Sequence, residues 1–223
     1  IVGALATLDA ENPLKPLMDN IVAGNVRGVV GIVGCNNVRF TQDEAIVNIT
    51  KKLLENDVLV VVTGCVAHAL GKAGIMSPAG ARMYAGKKLL SVLDAVGNAA
   101  GLGGPLPPVL HMGSCVDNAR IGDLLVAVAD YLGVAIKDLP VAAAAPELTH
   151  EKAISIGTWA VDMGLFTQIG MAPFCLGGPT VTKVLTDDIE GLTGGKFFVE
   201  PDPDKAAAGL IAHIDEKRKG LNI

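Results

Sequence analysis

Asp57 to His68 read DVLVVVTGCVAH. An apolar run rich in β-branched valine is followed by Thr63-Gly64-Cys65 and then by helical spacing. A short run with no polar alternation is a strand buried on both faces, as in a parallel sheet covered by helices. The same grammar recurs in GVVGIVGCNN at 28–37 and in PPVLHMGSCVDN at 107–118. Each strand-length run ends at a turn that carries a cysteine just after a small residue, and a helical segment follows. In an open parallel sheet the carboxyl ends of the strands share one edge, where ligands bind. Cys35, Cys65 and Cys115 are therefore expected to converge there. Convergent thiolates are soft ligands suited to an iron–sulfur cluster or another thiophilic metal. A single free cysteine is more often a small buried hydrophobe. Three in one turn context outweigh that reading. A disulfide framework is not expected, because the cysteines are few and far apart and no secretory signal precedes them.

Outward from these turns the pattern stays regular. Strands are expected at about 28–34, 58–63, 108–112, 139–145, 166–172 and 196–200. Helices are expected at about 12–25, 42–56, from Val66 onward, from Ser77-Pro78 to about 99, 118–132, from Thr149 through Trp159, and 204–219. Alternation of this kind predicts a Rossmann-like, doubly wound, mostly parallel sheet with helices on both faces. No linker or internal repeat divides residues 1–223, so one domain is expected. With 50% hydrophobic residues and only 4% aromatics, its core is built from Val, Ile, Leu and Ala. A net charge of −5 and no basic stretch argue against a phosphate-tracking nucleic-acid surface. No apolar run reaches the ~20 residues that span a bilayer. No GxGxxG or P-loop follows a strand, so no nucleotide cofactor is indicated. The chain starts at Ile1 in mid-pattern, which reads as part of a longer polypeptide.

Other polar residues admit two readings. Cys175 lacks a polar turn and reads as structural. His213 on the closing helix reads as a surface residue. His68 lies three residues after Cys65, a spacing that could serve one metal, though a single pair is weak evidence. His111, inside an apolar strand, reads as a core or supporting histidine. Lys152 shares a helical face with Ile156 and Trp159. It either snorkels to water or enters the site as a fixed positive charge.

The motifs GxxGCNN, TGCxAxALxKAG, LHMGSCVDNARI and APExxHEKAxxIGTW closely resemble the carboxyl-terminal part of the anaerobic nickel-containing carbon monoxide dehydrogenases. The order matches, as do the gaps of 30 residues from Cys35 to Cys65, 50 from Cys65 to Cys115 and 37 from Cys115 to Lys152. The resemblance implies that Cys35 and Cys65 bind irons of a Ni–Fe–S cluster and that Cys115 binds nickel. It makes Lys152 the catalytic lysine that hydrogen-bonds a carboxylate-like intermediate, and Ile156 the residue that closes the substrate pocket. The implied reaction is CO + H2O ⇌ CO2 + two protons + two electrons. The family's remaining ligands, one histidine and two cysteines, come from a middle domain. Additional [4Fe–4S] clusters belong to an amino-terminal helical domain. Neither domain is in this chain, which is therefore expected to be inactive alone. The implied setting is a cytoplasmic homodimer in an anaerobe. Its partners are a ferredoxin-like electron acceptor and, in some members, acetyl-CoA synthase. Two alternatives remain at this point. One is the related hybrid-cluster protein, a hydroxylamine reductase, which has GQCND where this chain has GSCVDN. The other is a non-catalytic module for metal binding or subunit contact.

Overall fold

The computed structural model describes residues 2–149, 151–173 and 177–223. Its first half runs α1 (Val2–Leu5), α2 (Lys15–Val22), β1 (Gly28–Ile32), α3 (Glu44–Glu55), β2 (Val58–Val62), α4 (Gly64–Lys72), α5 (Pro78–Tyr84), α6 (Lys87–Ala99) and β3 (Val109–His111). The second half runs α7 (Asn118–Leu132), β4 (Val141–Ala145), α8 (Glu151–Asp162), β5 (Phe166–Ile169), α9 (Pro179–Lys183), α10 (Ile189–Thr193), β6 (Lys196–Val199) and α11 (Pro203–Leu221). The six strands form one sheet in the order β3-β2-β1-β4-β5-β6. Every pairing is parallel, so the expected sheet is present without an antiparallel member. No helix among the described residues is long and apolar enough to cross a membrane.

The strand sequences explain the layering. Every residue of β2 and of β4 is buried, because helices cover both faces of the sheet centre. Val30, Ile32, Val60, Val62, Ala142 and Ala144 pack with α3, α4, α6 and α11. Val141 and Ala143 point the other way, toward Ala129 of α7 and Ala160 of α8. At about 1.5–3 kcal/mol for each fully buried Val or Leu, this burial is the main force holding the sheet. Ala143 and Ala145 let α8 lie close to β4 on one face, and Ala142 and Ala144 do the same for α11 on the other.

The order reverses between β1 and β4. Chain growth moves from β1 outward to β3, then returns to the other side of β1. At such a switch point the loops above neighbouring strands diverge to opposite faces and leave a crevice at the carboxyl edge.

Several expectations need correction. The helix expected from Ser77-Pro78 to about 99 is two helices, α5 and α6, broken at Ala85-Gly86. A Cβ on Gly86 would lie 2.3 Å from Asp57 Oδ1, so the chain bends where only glycine fits. The helix after Cys65 begins earlier than Val66, and Cys65 sits inside its first turn. Residues 179–193, given no element in the sequence reading, form α9, a π-helical turn over Val184–Asp188, and α10. His213 is not a plain surface residue. Its ring stacks on Phe166 with centroids 4.6 Å apart. His111 is exposed rather than in the core, because β3 is a short edge strand. Cys175 and His150 lie outside the described residues.

Candidate metal centre

The register fixes where the cysteines stand. Ile32, Val62 and His111 lie level with one another across β1, β2 and β3. Cys35 and Cys65 each follow that level by three residues, and Cys115 by four. All three leave the same edge of three adjacent strands. Strands are about 4.8 Å apart, so the ends of β1 and β3 are separated by about 10 Å. A metal–thiolate bond is about 2.3 Å long, so this spread suits a multinuclear cluster better than one ion. Among the described residues, no group of three His, Cys, Asp or Glu side chains is placed to hold a metal ion. Cys65 is exposed, and Cys35 and Cys115 are half-buried free thiols.

Glycines stand just before Cys35 and Cys65 and two residues before Cys115, for a backbone reason. Gly34, Gly64 and Gly113 have φ of 116°, 59° and 124°, a region that side chains strongly disfavour. Gly64 is constrained twice, since a Cβ there would lie 2.5 Å from Cys115 Sγ. The Cys65 and Cys115 turns are thus packed against each other. The β2–β3 ladder continues into them: Met112 N–H donates to Val62 O at 2.9 Å, and Gly64 N–H to Gly113 O at 3.0 Å. Within the Cys115 turn, Asp117 accepts from Ser114 N–H at 2.7 Å and from its hydroxyl at 2.9 Å. The Ser114 N–H, then its hydroxyl, hold the Asp117 carboxyl below its ordinary range.

The Cys35 turn is tied to the other side of the switch point. Cys35 packs with Ala145, Leu148, Ala153 and Ile169. Asn37 Nδ2 donates to Leu148 O at 2.7 Å. Asn36 Nδ2 donates to Asp43 Oδ1 at 2.6 Å and lies 3.3 Å from Glu147 Oε2. Asp43 also forms an ion pair with Lys72. Glu147 is 1% exposed. Burial pushes its carboxyl above the usual carboxylate range. Asn36 and the N–H groups of Ile46 and Asp43 pull the other way. Glu147 Oε1 meets no hydrogen-bond partner among the described residues.

Lys152 is exposed in the first turn of α8, which follows β4, the strand beside β1. The carboxyl edge therefore presents, in spatial order, Cys115, Cys65, Cys35 and the helix that carries Lys152. Ile156 lies one turn after Lys152 and lines an apolar cavity of about 120 Å³ between the sheet and α2, α7 and α8. Trp159 lines the same cavity and packs on Gly122 of α7, where a Cβ would stand 3.0 Å from the indole. His68 is exposed on α4, one turn beyond Cys65. His111 remains on the rim, close enough to help lower the Asp117 carboxyl.

Thr63, Asn118 and Glu147 were missed as site residues. Thr63 and Asn118 stand inside the quoted motifs, and Glu147 follows the Pro146 that ends β4. Nothing in local spacing says that Thr63 meets Asn118, 55 residues away, or that Asn36 meets Glu147, 111 residues away.

The donor chemistry fits a thiophilic cluster: three free thiols at one edge, in turns whose glycines leave space and backbone N–H groups, beside buried polar atoms without partners among the described residues.

Residues 3–204 match the Prismane/CO dehydrogenase family. The chain is similar along its whole length to carbon monoxide dehydrogenase 2 of Carboxydothermus hydrogenoformans, at 53% identity and 35% of that protein's length. It is 50% identical to the carbon monoxide dehydrogenase of Rhodospirillum rubrum, again over the whole chain and 35% of the relative. Among solved structures it resembles carbon monoxide dehydrogenase IV of C. hydrogenoformans, with a TM-score of 0.96, 61% identity, the whole of this chain and 35% of that one covered. The chain thus spans about a third of the length of these relatives.

Proposed function

The chain belongs to the Prismane/CO dehydrogenase family, and from that premise we propose that it is the carboxyl-terminal, cluster-holding domain of a carbon monoxide dehydrogenase. The reaction is the reversible oxidation of CO with water to CO2, two protons and two electrons. Cys35 and Cys65 are assigned to irons of a Ni–Fe–S cluster and Cys115 to nickel. The cluster supplies Lewis acidity and a nucleophile generated from water at neutral pH. The chain's own residues do the rest. The three turns present thiolates from rigid strand ends. Lys152 places a positive charge where negative charge develops on the oxygens of the substrate carbon, an electrostatic contribution that grows toward the transition state. Ile156 and Trp159 keep the approach apolar.

The observation that carries the reading is the row of three level cysteines on adjacent strands, with the lysine helix leaving the next strand. The position of Lys152 adds support. A cation in the first turn of a helix opposes the helix dipole, so helix stability does not explain it. Half-identity to carbon monoxide dehydrogenases over the whole chain disfavours the hybrid-cluster alternative. The remaining ligands, the further [4Fe–4S] clusters, a homodimer contact and the site for a ferredoxin-like acceptor are assigned to the rest of the enzyme.

Metal analysis tests this. The full-length enzyme is expected to carry nickel with several irons per chain. Residues 1–223 alone are expected to bind little of either, because affinity depends on a complete ligand shell. Full-length enzyme that oxidises CO after loss of all three cysteines would overturn the assignment.

A further inference from the structure

Thr63 and Asn118 are buried at 0% and 6% exposure, at the junction of the Cys65 and Cys115 turns. The Thr63 hydroxyl donates to Asn118 Oδ1 at 2.7 Å. Thr63 stands where a helix cap would, yet its side chain makes no capping bond to α4. Its hydroxyl is spent on Asn118 instead. That bond turns the amide so that Nδ2 is left over, and Nδ2 is buried without a partner among the described residues. A buried amide donor is normally satisfied, so this one points to an acceptor outside the protein's own side chains.

The position of that acceptor follows from the turn. Asn118 lies three residues after Cys115, across a single 3-10 turn (Cys115–Asp117). Residues three apart there share a face. The pair docks on consecutive residues of the neighbouring turn: Asn118 on Thr63, and Cys115 Sγ against Gly64. Asn118 also lines the apolar cavity beneath the edge, beside Met112, Ile121 and Ile156. On the cluster reading, the acceptors at the junction of these two turns are sulfurs.

We infer that Asn118 Nδ2 donates a hydrogen bond to a sulfur of the bound cluster on its Cys65–Cys115 side, thiolate or bridging sulfide, and that Thr63 is the positioning residue that aims it. The inference rests on the cluster reading above. Hydrogen bonds to sulfur stabilise the more negative, reduced form and raise the reduction potential.

Thr63→Val, Asn118→Leu and the double variant are made in the full-length enzyme. Nickel and iron content, the cluster's midpoint potential by EPR-monitored titration, and the melting temperature are then measured. Asn118→Leu is expected to shift the reduction equilibrium about tenfold toward the oxidised cluster, about 59 mV for a one-electron couple. The double variant replaces both partners by apolar groups, a change that leaves stability nearly intact. It is expected to melt close to wild type with the same shifted potential, an effect that a purely structural tie does not produce. Thr63→Val alone is expected to lower the melting temperature and move the potential less. A double variant with full metal content and an unchanged potential overturns the inference while leaving the cluster assignment intact. Wild-type enzyme without nickel or iron overturns the cluster assignment and this inference with it.

Discussion

The turn that opens α4 and the turn that opens α11 both place a side-chain oxygen at the helix start, and they use it in opposite ways. Asp202 caps its own helix, accepting from Asp204 N–H at 2.9 Å and Lys205 N–H at 3.1 Å. Thr63 leaves its own helix uncapped and bonds across to Asn118. The same diversion occurs at α3. Its preceding residue, Asp43, has a φ of 65° and no capping bond, and its carboxylate goes to Asn36 and Lys72. At α11 local preference and observed structure agree. At the starts of α3 and α4 they conflict, and the lost local bonds reappear as ties to residues outside the helix. Local rules broken with compensation elsewhere are what a functional edge is expected to show.

The sharpest way to break this contrast is to remove a proposed ligand. In the full-length enzyme, Cys115→Ala is expected to abolish CO oxidation and lose nickel, seen together by assay and metal analysis. Lys152→Ala is expected to cut CO oxidation by roughly two to three orders of magnitude, as for loss of one preorganised oxyanion donor. Metal content should stay unchanged, because lysine is not a ligand. A lysine variant that keeps its rate with a full cluster makes Lys152 an ordinary surface residue.

The next effect is on stability. Gly64→Ala puts a methyl group on Cys115 Sγ and a side chain at positive φ. It is expected to destabilise the chain by about 2 kcal/mol in denaturant unfolding. Asp202→Ala removes a conventional cap and should cost about 1 kcal/mol, with no change in metal content. If Asp202→Ala depleted the metal, the division into two kinds of turn would fail.

The last effect concerns the half of the sheet away from the cysteines and appears only as pH falls. Desolvation, with help from Lys217 and Lys196, lowers the His213 pKa to about 4, and Glu216 opposes this. The folded state therefore favours the neutral ring relative to the unfolded value near 6.5. The associated stability is fully present above pH 6.5 and is lost as pH falls toward 4. His213→Phe, which preserves the stack on Phe166, is expected to flatten the pH dependence of the melting temperature in that window.

What the sequence determined by itself is the kind of sheet and the place of the thiols. Runs such as Val58–Val62 and Val141–Ala145 are apolar at every position, and only a strand covered on both faces buries them completely. Cys35, Cys65 and Cys115 follow such runs at a glycine-bearing turn, so their common edge is a property of short-range pattern. The tertiary structure alone decided which strands are neighbours. Backbone N–H and C=O groups pair equally well with any strand, and the choice rests on how helices of both faces pack over the sheet. That choice set β4 beside β1, brought Glu147 to Asn36 across the switch point, and joined Thr63 to Asn118. It also exposed His111 on an edge strand and covered His213 with Phe166. In each case the decisive contact is long-range, and burial depends on what packs above a residue rather than on its immediate neighbours in the chain.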